Sequence, residues 1–125
     1  GPVFGPGSRA EVPIAAEIAP PDGVGRRVRL TGQIDRIVDT GGYVLIVDFK
    51  TNRPPPMEVA DVSEAYVLQL AAYRLALARI FPERVIRAAL LWTDGPRLME
   101  LPADRLDAAA GRLFVEDRME LSGES

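Results

Sequence analysis

Apolar and polar positions along the 125-residue chain change period several times, and the changes divide it into elements. Arg9 to Ile18 reads as a strand, and Pro13 places it near a sheet edge because proline cannot donate to a ladder. Before it, residues 1–8 are rich in glycine and proline and read as a loop, with Gly1-Pro2 resembling a tag remnant. Pro20-Pro21-Asp22-Gly23 reads as a turn. Two strong strand signals follow, roughly 26–39 and 43–51. Gly41-Gly42 between them marks a two-residue hairpin, since tight primed turns need positive φ. Pro54-Pro55-Pro56 forces a break, and from Val59 to Ile80 the apolar spacing becomes helical until Phe81-Pro82 ends it. Val85 to Thr93 and Arg97 to Leu101 read as strands around a turn at Asp94-Gly95. Asp104 to Met119 reads as an amphipathic helix, with Leu106, Ala110, Leu113 and Val115 among its apolar positions, and residues 120–125 as a flexible tail. Three strands, a helix, two strands and a helix predict one layered α/β or α+β domain over residues 9–119 with a mixed sheet.

Composition narrows the chemistry. A chain of this length buries one core, and no apolar run approaches the roughly 20 residues that span a bilayer. Cysteine and histidine are both absent. That excludes thiolate zinc sites, iron–sulfur clusters and Ser-His-Asp or Cys-His hydrolysis, and leaves carboxylates as the strong metal ligands. The formal charge of −3 does not favour a nucleic-acid binder, although a domain carried by a larger DNA motor can draw affinity from the rest of that motor. Of the fifteen basic residues only Lys50 is a lysine. If a GC-rich genome has replaced lysine by arginine wherever plain charge suffices, the remaining lysine sits where arginine cannot serve, because an ammonium is compact and tunable.

If Gly41 and Gly42 form the hairpin loop, Thr40 pairs with Tyr43, Asp35 falls opposite Asp48, and Gln33 falls opposite Lys50. Asp48 and Lys50, two apart, share a face, and Asp35 joins them across the strands with Cβ atoms about 5 Å apart. Two facing carboxylates within apolar strands repel unless one stays protonated or a cation lies between them. Lys50 offers one positive charge. The two acids, with a backbone carbonyl or waters, offer the hard oxygen ligands that Mg²⁺ or Mn²⁺ takes. The plain alternative is a frayed strand end at Asp35 and an ordinary Asp48–Lys50 ion pair. On the first helix Val62, Tyr66, Gln69, Tyr73, Ala76 and Ile80 form one stripe, in which a glutamine needs a partner for its amide. Gln69 is either a core amide satisfied by backbone or, beside Tyr73, a group that holds a water, a carboxylate or a phosphate.

Gly32-Gln33-Ile34-Asp35-Arg36, Val47-Asp48-Phe49-Lys50-Thr51-Asn52 and Gln69-Leu70-Ala71-Ala72-Tyr73 resemble, in order and spacing, the PD-(D/E)XK nuclease superfamily. More narrowly they are similar to its RecB- and AddA-type exonuclease branch, with the pattern G-x-x-D, D-x-K-T and Q-x-x-x-Y, and Glu11-Val12-Pro13 is similar to a segment that precedes these motifs there. The resemblance implies a restriction-endonuclease-like core with a mixed central sheet flanked by helices. It implies Asp35, Asp48 and the Phe49 carbonyl as metal ligands, Lys50 on the water or phosphate, and Gln69 and Tyr73 steadying the site and the DNA strand. It also implies a Mg²⁺- or Mn²⁺-dependent deoxyribonuclease within a helicase–nuclease of double-strand-break repair. The implied partners are DNA without sequence specificity, an AddB-type subunit and the helicase part of the same chain, in a bacterial, nucleoid-associated cytoplasmic setting. Related domains begin with a helix carrying a further ligand. Nothing helical precedes Arg9, so the expectation is a domain without that helix, whose own metal site and activity are then incomplete.

Arg26, Arg27, Arg29 and Arg53 are candidates for DNA-backbone contacts, against the plainer reading of a solvated strand face. Two other functions stay open at this point. One is a non-catalytic DNA-binding or scaffolding module of the same fold, which has no use for Asp35, Asp48 and Lys50 together. The other is an unrelated α/β interaction domain, which binds no divalent metal.

Overall fold

Alternating apolar residues build five strands that pair in the order β1-β2-β3-β4-β5: β1 (Gly7–Ile18), β2 (Val28–Asp39), β3 (Val44–Lys50), β4 (Ile86–Trp92) and β5 (Arg97–Glu100). The structure, a computed structural model, describes residues 7–20 and 23–115. All neighbouring strands are antiparallel except β3 and β4, which are parallel. Parallel strands need a long crossover, which α1 (Glu64–Ile80) supplies. A second helix, α2 (Ala103–Val115), follows β5. The fold is therefore α+β with a mixed sheet, in the element order the sequence predicts, and Pro13 sits on the edge strand β1. Among the described residues no helix is long and apolar enough to cross a membrane.

Boundaries differ in instructive ways. β1 begins at Gly7, inside the expected loop, because Gly7 and Ser8 pair with Asp39 and Val38 and Ser8 Oγ accepts from Arg36 at 2.6 Å. Val59–Asp61 forms a separate 3₁₀ turn, and α1 starts only at Glu64, where Ser63 Oγ accepts the Ala65 N–H and caps the helix. Arg26 and Arg27 precede β2 and are not on its face. The expected loop over residues 1–6, Pro21-Asp22 of the expected turn, the end of the last helix and the tail over 116–125 lie outside the described residues. The Gly23 N–H still bonds Pro20 O at 3.0 Å and closes that turn.

One sheet face meets α1. Ile14, Leu30, Ile34, Ile46, Leu90 and Trp92 are buried with Val67, Leu70, Ala71 and Ala76 of the helix. Each such aliphatic side chain contributes about 1.5–3 kcal/mol when removed from water. α2 packs on α1 through Leu106, Ala109 and Leu113, so α1 is buried around most of its circumference rather than along one stripe. Ile80, expected in that stripe, is 53% exposed at the helix end. On the sheet face away from α1, Phe49, Leu91 and Leu98 form one register row, with Phe49 and Leu98 exposed.

The β2–β3 hairpin closes as its residues dictate. Thr40 and Tyr43 pair through a 2.9 Å backbone bond, and Gly41 takes φ +93°, a conformation other residues rarely adopt. Buried Asp39 accepts the Gly41 N–H and a two-pronged contact from Arg84 at 2.7 and 3.1 Å, tying the hairpin to the chain between α1 and β4.

Candidate active site

From Asp39–Val44 to Arg36–Val47, β2 and β3 pair in the register that the Gly41-Gly42 turn sets. The ladder then stops at Arg36–Val47, one residue short of Asp35. Glu11 of β1 adopts φ +54°, and the β1–β2 pairs run from Ala10–Arg36 to Val12–Ile34, passing over Glu11 and Asp35. Buried positions on β2 jump from Ile34 to Ile37, a spacing of three in an otherwise alternating strand. Such a break in alternation turns the side chains between them off the faces their neighbours share. Released from the ladder, Asp35 accepts the Phe49 N–H on Oδ2 at 2.8 Å. The expected Asp35–Asp48 juxtaposition is therefore made by side chains, not by a ladder pair. The expected Gln33–Lys50 pairing does not form: Gln33 pairs with Pro13, and Lys50 with Trp92.

Asp48 is 6% exposed, and its carboxyl lies within hydrogen-bonding reach of Asp35. Burial, and then the shared contact with Asp35, push its pKa up to about 6, against the opposing pull of Lys50. Lys50 Nζ lies 2.8 Å from Asp48 Oδ2 but out of line, so this buried oxygen has close positive charge and no aligned hydrogen bond. An under-satisfied anionic oxygen beside a second carboxylate fits a hard divalent cation. Among the described residues no group of three or more acidic, histidine or cysteine side chains gathers here or elsewhere. The described side chains thus offer the Asp35 and Asp48 carboxylates, and backbone, water or phosphate oxygens would have to supply the remaining ligands of a hard cation.

Lys50 is held at both ends. Its carbonyl accepts the Thr93 N–H at 2.9 Å and the Thr93 hydroxyl at 3.2 Å, and its ammonium lies 4.1 Å from the centre of the Tyr66 ring. The Tyr66 hydroxyl donates to Asn52 Oδ1 at 3.1 Å. Seven residues on along α1, Tyr73 reaches β2. Burial raises its pKa, the Gln33 N–H lowers it, the charges of Asp48 and Asp35 raise it, and the Gln69 amide lowers it. Gln69 is accordingly half-buried with a phenol partner beside both acids. A Cβ on Gly32 would lie 2.3 Å from the Tyr73 hydroxyl, so glycine there admits the phenol.

Tyr66, Asn52, Trp92 and the strained Glu11 were not assigned roles from the sequence. A glycine inside a strand does signal close approach of another group, which Gly32 fulfils. Nothing local in the sequence marks the Glu11 kink. Exposed Arg29 reaches Glu17 at 3.7 Å and exposed Arg53 reaches Asp94 at 4.0 Å, neither joining the acids. A cleft of about 400 Å³ between β1 and the end of α1, lined by Val12, Ile14, Leu77 and Phe81, contains none of the site residues.

A sequence model of the PD-(D/E)XK nuclease superfamily matches residues 5–120. No curated protein matches the chain. Among solved structures, the crystal structure of SSO0001 is similar at 16% identity and a TM-score of 0.46, over 90% of this chain and 52% of that one. The chain spans about half the length of that protein. A family match running from β1 through α2 means that the chain belongs to the PD-(D/E)XK nuclease superfamily.

Proposed function

We propose that the chain is a metal-dependent deoxyribonuclease domain that hydrolyses phosphodiester bonds at Asp35, Asp48 and Lys50. The observation that carries this reading is the buried Asp48 carboxylate, which faces a second acid and an ammonium while one oxygen has no aligned donor. A bound Mg²⁺ or Mn²⁺ would supply Lewis acidity toward the phosphate and lower the pKa of an attacking water. Asp35, oriented by the Phe49 N–H, and Asp48 would hold that ion, and the resemblance adds the Phe49 carbonyl as a third ligand. In this reading Lys50 offsets the negative charge that builds on the phosphate as water adds and the leaving oxygen departs. Gln69 and Tyr73 steady the acids and the strand beside them.

The wider setting is also proposed: a helicase–nuclease of double-strand-break repair, of the AddA type, working in the bacterial cytoplasm with an AddB-type subunit and its own helicase part. The order and spacing of Gly32-x-x-Asp35, Asp48-x-Lys50-Thr51 and Gln69-x-x-x-Tyr73 support it. Its DNA contacts are to phosphates and carry no sequence preference.

The test is cleavage of end-labelled single- and double-stranded DNA by the chain with Mg²⁺ or Mn²⁺, beside Lys50→Met and Asp48→Asn. Metal-dependent cleavage that falls by on the order of a hundredfold or more in each variant supports the reading. Cleavage indifferent to both substitutions removes these residues from the chemistry, and no cleavage by any protein means that the site needs a further segment or that the domain is the non-catalytic, DNA-binding alternative.

A further inference from the structure

Lys50 presents a problem that its ion pair alone does not solve. Its anionic partner is Asp48, 2.8 Å away, which is also a proposed metal ligand. A divalent ion between Asp35 and Asp48 takes up the Asp48 charge and leaves the lysine a weakened tether. A third carboxylate beside the ammonium would restore the tether but would also compete for the metal. An aromatic face avoids that conflict, because its quadrupole attracts a cation without offering a lone pair. Tyr66 presents such a face, its ring centre 4.1 Å from Lys50 Nζ.

The ring is itself fixed on two sides. Its hydroxyl donates to Asn52 Oδ1 at 3.1 Å, in the loop that directly follows β3. Its face is tilted against Trp92, with ring centres 6.2 Å apart, and Trp92 is fully buried as the β4 register partner of Lys50. Thr93 pins the Lys50 carbonyl from the end of the same strand. Tyr66 stands three residues before Gln69 and seven before Tyr73, so one face of α1 lines the site from its lysine end to its Gly32 end.

We propose that Tyr66, anchored by Asn52 and Trp92, is the positioning residue for Lys50, holding the ammonium at the phosphate site when the metal occupies Asp48. This rests on the nuclease reading above, and the test separates the two. Lys50 is the only lysine in the chain, so ¹³C- and ¹⁵N-labelled lysine gives one set of signals. The ε-methylene protons of the full chain should lie upfield of free lysine through the Tyr66 ring current, and should show Overhauser contacts to the tyrosine ring. Added Mg²⁺ should leave both in place. Tyr66→Leu should return the signals to the free-lysine position, and Tyr66→Phe should recover the upfield shift because it keeps the ring. Cleavage by Tyr66→Leu should fall on the order of tenfold in kcat with KM little changed, and Tyr66→Phe should restore most of it.

Lysine signals at the free position in the unsubstituted chain, or signals that Tyr66→Leu does not move, overturn the proposal whatever the cleavage. So does a Tyr66→Leu chain that loses the signature and cleaves normally. If Tyr66→Leu does not fold, the Overhauser contacts in the unsubstituted chain decide alone. Lys50→Met without effect on cleavage sinks the nuclease reading itself, whereas Tyr66→Leu without effect sinks only the positioning.

Discussion

At the scale of single residues, the centre of the molecule is an acid held in an unfavourable place. Asp48 has its pKa raised from 3.8 to about 6, by burial first and by Asp35 second. Between those values the folded chain binds the proton more tightly than the unfolded chain, so stability falls as pH rises through this window and levels off above about 6. In metal-free buffer Asp48→Asn should therefore stabilise the chain at pH 7, by on the order of 1 kcal/mol, and the advantage should vanish toward pH 4. Thermal melts at the two pH values check this, and an Asp48→Asn protein less stable at pH 7 would contradict it. Gly32 gives a second prediction. Gly32→Ala brings a Cβ into the Tyr73 hydroxyl and should cost about 1–3 kcal/mol. Combining it with Tyr73→Phe should recover part of that loss, and strictly additive losses in a double-mutant cycle would show that the two do not meet. The sequence made Asp35, Asp48 and Lys50 legible because hairpin register and side-chain alternation are local rules. Tyr66 was legible only as a member of a helical stripe, since its contact with Lys50 depends on how α1 crosses β3.

At the scale of elements, the hairpin register and the break in pairing at Glu11 and Asp35 act together. The Gly41-Gly42 turn fixes the register, and the unpaired Glu11 and Asp35 positions leave one acid to reach Phe49. The first was readable from the glycine pair. The second was not, because a positive φ at a glutamate has no sequence signature, and an uninterrupted ladder was the natural expectation. Replacing Glu11 by glycine should relieve the strained φ and stabilise the fold by about 0.5–1 kcal/mol, a change that chemical denaturation would detect. A loss of stability would mean that the Glu11 side chain contributes more than its backbone costs. The late start of α1 has a similar cause: Ser63 caps the helix, so the apolar spacing from Val59 onward begins in a 3₁₀ turn. Arg84 ties the hairpin to the approach of β4 through Asp39, whose carboxyl it holds below the usual range, with help from the Gly41 N–H. Arg84→Met should lower the melting temperature at pH 7, and the difference should shrink as acid protonates Asp39 below about its ordinary 3.8.

At the scale of the whole molecule, a mixed sheet with a parallel β3–β4 pair brings the ends of these strands together under the first turns of α1, and the candidate site lies there. The order of elements was legible because their periods differ. The packing of α1 between sheet and α2 was not, because a helix buried on nearly all sides shows little amphipathic contrast. The net charge of −3 makes the chain a poor polyanion binder by itself, and the site carries two carboxylates against one ammonium. A divalent ion reverses the sign of that cluster, so metal binding and phosphate binding should rise together. The most direct test of the central claim is a Mn²⁺ titration by calorimetry, comparing the chain with its Asp35→Asn variant. One binding event that the substitution abolishes is expected. Absence of binding, or binding that Asp35→Asn leaves unchanged, would contradict it.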